Sequence, residues 1–252
     1  MTAAPPDKQR VKDFWNRNVC HVSFLKEAEP GSLEFFEQAE ALRYRYHYHL
    51  LPLFDQLAQR YPGGKLLEIG CSMGTDLLAL ARRGFMVTGL DLTEAGIELA
   101  RKRFGLYGFP ADLRVADAEN LPFEDNSFDL VYSFGVLHHT PDTEKSVIQA
   151  HRVIKPGGAA VVMLYHKFSL NNLAHILTGI PADGSKTDPV PLARTYSIGQ
   201  IKRLFCRFSR VRVRPDYLFG TGWGRVNELI PSSLHRFLGR FIGWHLMIEA
   251  VK

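Results

Sequence analysis

The stretch Leu66-Leu67-Glu68-Ile69-Gly70-Cys71-Ser72-Met73-Gly74-Thr75-Asp76 restricts this chain more than any other. A short apolar run closes on an acid, turns through small residues and enters the helical stretch Leu77 to Arg83. That pattern predicts a buried strand feeding a helix through a turn tight enough for backbone to approach a ligand. Free N–H groups at a helix start can meet an anion. Glu68 argues against a phosphate at the strand end, because two anions there would repel.

The same pattern recurs downstream. Phe85 to Asp91 is a second apolar run ending in an acid, with Thr93 as the expected N-cap of a helix over Ala95 to Phe104. Asp112 to Ala116 reads as a third strand, followed by Asp117-Ala118-Glu119. In an open parallel sheet the carboxyl ends of the strands line one crevice. Three acids converging there, Glu68, Asp91 and Asp117, suit a ligand with amine, ribose and adenine donors. They suit a dinucleotide pyrophosphate poorly, which speaks against an oxidoreductase. The spacing from Gly74 to Asp91 places a carboxylate where a ribose diol would be met. Phe128 to Ser133 is the fourth strand, a helix runs from about Asp142 to Ile154, and Lys155-Pro156-Gly157-Gly158 ends it. Ala159 to His166 is apolar enough for a central buried strand.

Taken together, Glu68-x-Gly70-x-Ser72-x-Gly74, Asp91, "DAENLPFEDNSFDLVYSFGVLHHTPD" and "HRVIKPGGAAVVMLYH" resemble the class I S-adenosylmethionine-dependent methyltransferases. Within them the likeness is to the group of ubiquinone and menaquinone biosynthesis methylases, methyltransferase type 11. Five motifs in order cover about residues 64 to 166. Ser72 replaces the middle glycine of the usual turn, so that position must avoid positive φ or bear strain.

The resemblance implies an α/β, Rossmann-like, three-layer αβα sandwich. Its sheet would be seven-stranded and mostly parallel, with a reversed last strand. Residues 1–60 would form a helical N-terminal cap and 61–252 the methyltransferase domain, with insertions at about 167–196 and 218–241. The cofactor implied is S-adenosylmethionine, the product S-adenosylhomocysteine, and no metal is expected. Glu68, Gly70, Cys71, Ser72 and Gly74 would pack under the methionine portion, with Asp76 beside them. Asp91 would take the ribose hydroxyls and Leu92 flank the adenine. Asp117 would accept from the adenine amino group, with Ala118 and Glu119 next to it, and Phe134 would follow the fourth strand over the methionine side.

For the chemistry, a general base is needed only if the acceptor atom carries a proton. His138 and His139 are the candidates, since imidazole titrates near neutrality; packing or positioning is the competing role. Tyr165 and His166 close the fifth strand and could line an acceptor pocket. In Arg43-Tyr44-Arg45-Tyr46-His47-Tyr48-His49, helical spacing puts Tyr44 and Tyr48 on one face. That face is either a lid lending Tyr and Arg to a ligand or a packing surface with hydroxyls in water. Gly31 to Arg60 is expected to be helical, broken at Pro52. Cys20-His21 is a poor thiolate–histidine pair, because adjacent residues of an extended segment point apart.

Composition narrows the rest. No apolar run approaches the roughly 20 residues that span a bilayer, the N-terminal residues lack a signal peptide's apolar core, and Cys20, Cys71 and Cys206 show no metal-ligand pairing. A reducing cytoplasm is therefore expected. The net charge of +5 is concentrated after Lys202, where only Asp216, Glu228 and Glu249 oppose the cations. A basic face could meet an anionic partner or be plain solvated surface. The aromatic and apolar insertions favour a small, aromatic or partly apolar acceptor. An RNA methyltransferase and a catalytically silent partner protein of the same fold remain as alternatives. No nucleic-acid-binding module is recognisable, and oligomeric state is not legible.

Overall fold

The computed structural model describes residues 8–19, 25, 28–183, 185–218 and 231–252. Three helices, α1 (Lys8–Arg17), α2 (Leu33–Tyr46) and α3 (Leu50–Arg60), precede the sheet. There follow β1 (Lys65–Ile69), α4 (Thr75–Ala81), β2 (Met86–Asp91), α5 (Glu94–Tyr107) and β3 (Asp112–Val115). Next come β4 (Phe128–Phe134), α6 (Thr143–Val153) and β5 (Ile154–His166). The chain continues through α7 (Leu170–Thr178), β6 (Thr195–Tyr196), α8 (Ile198–Leu204), β7 (Arg210–Asp216), α9 (Ser232–Ile242) and β8 (His245–Val251).

The sheet order is β3-β2-β1-β4-β5-β8-β7. β1 through β5 run parallel, and β8 lies antiparallel between β5 and β7, so the last strand is reversed as expected. The expected seven strands form the continuous path; the eighth, two-residue β6, pairs with Tyr165 and His166 at the end of β5. Its short length left no alternation to read in the sequence.

Neighbouring residues on each strand face opposite layers. Leu66, Leu130 and Val161 join the core under α3 and α4, with Phe54, Leu57 and Leu77. Leu67, Val131 and Val162 join the core under α6 and α8, with Val147, Val153 and Phe205. Burial on both faces is why these strands read as unbroken apolar runs. α2 lays Phe35 and Phe36 against Met73 of the turn after β1, adding a third layer of packing on that side.

The helix break expected at Pro52 falls instead at His47–His49, and Pro52 lies in the first turn of α3. A proline is tolerated there because its missing N–H would have had no intrahelical acceptor. β5 also starts earlier than expected, taking in Lys155-Pro156-Gly157-Gly158, with a register shift against β4 between Phe128 and Leu130. The cap expected at Thr93 forms, with Oγ1 accepting from Gly96 N, and at α8 Ser197 and Gln200 form a capping box. Of the second expected insertion, residues 219–230 lie outside the described residues, as do Cys20 and His21 of the N-terminal segment.

Gly89 sits in β2 beneath α4. A Cβ there would lie 2.6 Å from Leu77 and 2.9 Å from the Cys71 sulfur. Gly89→Ala should therefore overpack this layer and cost about 1–3 kcal/mol in urea unfolding. An unchanged midpoint would mean the layer is looser than described.

Candidate functional site

At the carboxyl end of the parallel strands a cavity of about 760 Å³, counted to its open mouth, lies between β1, β2, β4 and α1. Its floor is apolar, from Ile69, Leu90, Ala116 and Val136, and its rim carries Asp91 and Asp117. The position is the switch point of the sheet, where strand order departs from β1 in both directions.

The turn after β1 is built for close approach. Gly70 and Gly74 take φ of +78° and +75°, and a Cβ on Gly70 would collide with Val136. Ser72 also takes positive φ, +47°. Of the two alternatives that its side chain left open, the structure adopts the strained one. The compensation is visible: Ser72 N donates to Asp91 Oδ2 at 2.9 Å, and Gly70 N and Cys71 N both donate to the Leu90 carbonyl. Asp91 Oδ1 accepts from Thr93 N and Thr93 Oγ1. Burial pushes the Asp91 carboxyl up, and these donors work against that rise. With two lone pairs per carboxylate oxygen, Oδ2 retains room for one further donor such as a ribose hydroxyl.

The N-terminal helix closes the cavity from above. Lys8, Val11 and Trp15 line it, and Lys8 Nζ reaches Asp117 at 2.5 Å and Glu119 at 2.8 Å. Glu119 in turn accepts from Asp142 N. α1 is fixed to α5 by Lys12 on Glu94 and by Asn16 accepting from Ala95 N. Trp15 meets His139 edge to face, with ring centroids 5.2 Å apart.

Among the residues singled out in the sequence, Gly70, Ser72, Asp91, Leu92, Asp117, Ala118 and His139 line this cavity. Others stand apart from it. Cys71 is buried behind the turn, where burial pushes its thiol up. Phe134 packs on His47 and His245 instead, and the two residues after it, Gly135 and Val136, form the wall. Asp76 is taken up by Arg43, 2.5 Å away, by Tyr44 and by the Tyr132 hydroxyl. Tyr44 is thus neither a lid residue nor a hydroxyl in water, since its hydroxyl is held by Asp76 and the Thr75 carbonyl. Tyr48 is 39% exposed, and His166 holds the Gly243 carbonyl through Nδ1. Lys8, Val11, Trp15, Thr140 and Pro141 line the cavity without having been singled out.

Behind the turn, a buried charge cluster braces the site. Burial works against the charge of Arg43, but the adjacent Asp76 outweighs it and raises the guanidinium's pKa. Burial likewise disfavours the Asp76 anion, and Arg43 overcomes that, holding Asp76 below the ordinary carboxylate range. Glu68, also fully buried, is pushed well up by burial and by the Asp76 charge, and its Oε2 has no hydrogen-bond partner among the described residues. The cluster thus holds one ion pair beside a Glu68 carboxyl shifted toward its protonated form. Asp76→Ala would leave Arg43 buried without its partner and should cost about 3–5 kcal/mol in urea unfolding. Glu68→Gln should act oppositely. A carboxyl raised in the folded state contributes stability that is full below its unfolded value, about 4.3, and is lost as pH rises. The glutamine variant should lack that loss, gaining on wild type between pH 5 and pH 8; parallel pH profiles would contradict the assignment.

The comparisons with known proteins agree with this geometry. Residues 67–162 match the family model described as "Methyltransferase domain". Over 114 residues the chain is 41% identical to 27-O-demethylrifamycin SV methyltransferase of Amycolatopsis mediterranei, covering 42% of this chain and 41% of that protein. It is 39% identical over 97 residues to ubiquinone biosynthesis O-methyltransferase of Pseudomonas aeruginosa, covering 38% and 42%. The matches thus span about two fifths of these curated relatives. A solved SAM-dependent methyltransferase of Thermotoga maritima, titled a possible histamine N-methyltransferase, superposes with TM-score 0.64 at 20% identity, covering 96% of this chain and 99% of that one. The [4+2]-cyclase SpnF superposes at 0.54 with 18% identity, covering 80% of each chain. At such identities the structures speak for the fold alone. Residues 67–162 therefore match a methyltransferase domain, on a chain whose fold is that of solved S-adenosylmethionine-dependent methyltransferases.

Proposed function

We propose that this protein is an S-adenosylmethionine-dependent methyltransferase acting on a small, aromatic or partly apolar acceptor. The observation that carries the reading is the cavity at the β1–β4 switch point: an apolar floor, two carboxylates on the rim, and the turn after β1 lining it through Gly70 and Ser72. Asp91 would hold the ribose hydroxyls and Asp117 the adenine amino group, with Leu92 and Ala118 alongside. Gly70 to Gly74 would present backbone to the methionine portion.

When bound, S-adenosylmethionine supplies an already activated methyl group. The chain's contribution is then mainly placement, worth about 7–11 kcal/mol when two reactants are held in line. Of the two candidate bases, His139 faces the cavity, whereas His138 is fully buried behind it against Tyr165, ring centroids 3.9 Å apart. Burial lowers both imidazoles below the ordinary histidine value, which favours the neutral ring that a base requires. We assign His139 the base role if the acceptor carries a proton at the reacting atom.

The methyltransferases named above act on small molecules according to their names, which supports the same class of acceptor here. Among the described residues no helix is long and apolar enough to cross a membrane, and a cytoplasmic enzyme is the reading we favour. Because the fold is shared with a named cyclase, cofactor binding and turnover need separate tests. Calorimetric titration with S-adenosylhomocysteine should show micromolar binding to wild type and at least a tenfold loss in Asp91→Ala. Folded wild type that binds neither S-adenosylmethionine nor its product would overturn the proposal and favour a silent partner protein.

A further inference from the structure

His139 is oriented by a contact that the cofactor reading does not use. Its Nδ1 lies 2.5 Å from the carbonyl of Leu192. A carbonyl only accepts, so Nδ1 carries the proton and Nε2 keeps its lone pair. That lone pair faces Asp183 Oδ2 at 3.6 Å. Two acceptors facing each other at this range repel unless something positive lies between them.

The third member is His138. It is fully buried, and neither of its ring nitrogens has a hydrogen-bond partner among the described residues. One donor atom from each of His138, His139 and Asp183 lies within 4.8 Å of the other two. The Tyr165 hydroxyl donates to the Asp183 carboxylate, at 2.9 Å to Oδ2. A carbonyl on the far nitrogen of one imidazole and a donor on the carboxylate are the outer hydrogen bonds that orient metal ligands.

We propose that His138, His139 and Asp183 form a binding site for a divalent first-row metal ion, zinc foremost. Two imidazoles and one carboxylate suit such ions better than magnesium or calcium, which prefer all-oxygen shells. Three protein ligands leave a fourth position open, as in catalytic zinc sites. His139 also lines the cavity, which brings the ion to the cavity wall. There an oxygen atom of the acceptor, a hydroxyl or carboxylate, can complete the shell, and a bound hydroxyl would ionise more readily; with the ion bound the His139 lone pair is taken, so the base role assigned to His139 above holds only for the metal-free chain. The acceptor role rests on the methyltransferase reading; the metal site does not. The expectation of no metal came from cysteine spacing and from the family resemblance. Neither reads a cluster whose carboxylate comes from the insertion after β5.

The test uses the full chain with any affinity tag removed, dialysed against a chelator and then against buffer. Zinc is titrated calorimetrically, and bound metal is counted by mass spectrometry. Wild type should hold one zinc per chain, with cobalt giving the visible absorption of four-coordinate geometry. Asp183→Asn and His139→Gln should each weaken zinc binding at least tenfold. Asp183 is on a partly exposed loop, so its variant should keep the circular dichroism of wild type. Folded wild type that takes up no zinc, or both variants binding as wild type does, would overturn the site. S-adenosylhomocysteine is titrated in parallel. A chain that binds it but no zinc fails the metal proposal alone, and one that binds zinc but no S-adenosylhomocysteine fails the acceptor role alone.

Discussion

The Asp91 carboxylate is the point on which the site depends. It closes β2, receives the backbone N–H of Ser72 from the turn after β1, and caps the start of α5 through Thr93. One buried anion thus ties two neighbouring βα turns to each other. Without those donors the carboxylate would be costly where it is, and without the carboxylate the left-handed Ser72 would lose the contact that offsets its strain. The same group faces the cavity, so what holds the turn also presents an acceptor to a ligand.

A second buried acid does different work. Asp76 binds Arg43 of α2, Tyr44 and Tyr132, joining the N-terminal helices to the Rossmann-like layer from behind. α1 joins from the front, with Lys8 on Asp117 and Glu119. The helical segments before β1 therefore belong to the site physically: one braces the turn, the other roofs the cavity. The added elements at the other end of the chain bring Asp183 and Leu192 to His139 in the same way.

Much of this was legible in the sequence because it is local or periodic. Apolar runs buried on both faces gave the parallel strands, and an acid after each of the first three gave the crevice and Asp91. Thr93 announced its cap. What escaped notice is long-range. Lys8 meets Asp117 across 109 positions, and Arg43 meets Asp76 across 33, so no spacing rule reaches them. Asp76 looked like a cofactor residue because it follows the glycine turn; its lone pairs instead go to a helix the motif does not contain. Phe134 missed the wall because the strand runs one residue further than read, turning its ring toward His47 and handing the wall to Gly135 and Val136.

The central claim is that the cavity under α1 is a nucleoside-cofactor site. A crystal structure of the full chain with S-adenosylhomocysteine tests it most directly. The account predicts ligand density between the Gly70–Gly74 turn and Trp15, with the ribose hydroxyls on Asp91 and the adenine beside Leu92 and Ala118. Density elsewhere on the molecule, or an empty cavity at saturating ligand, would contradict it.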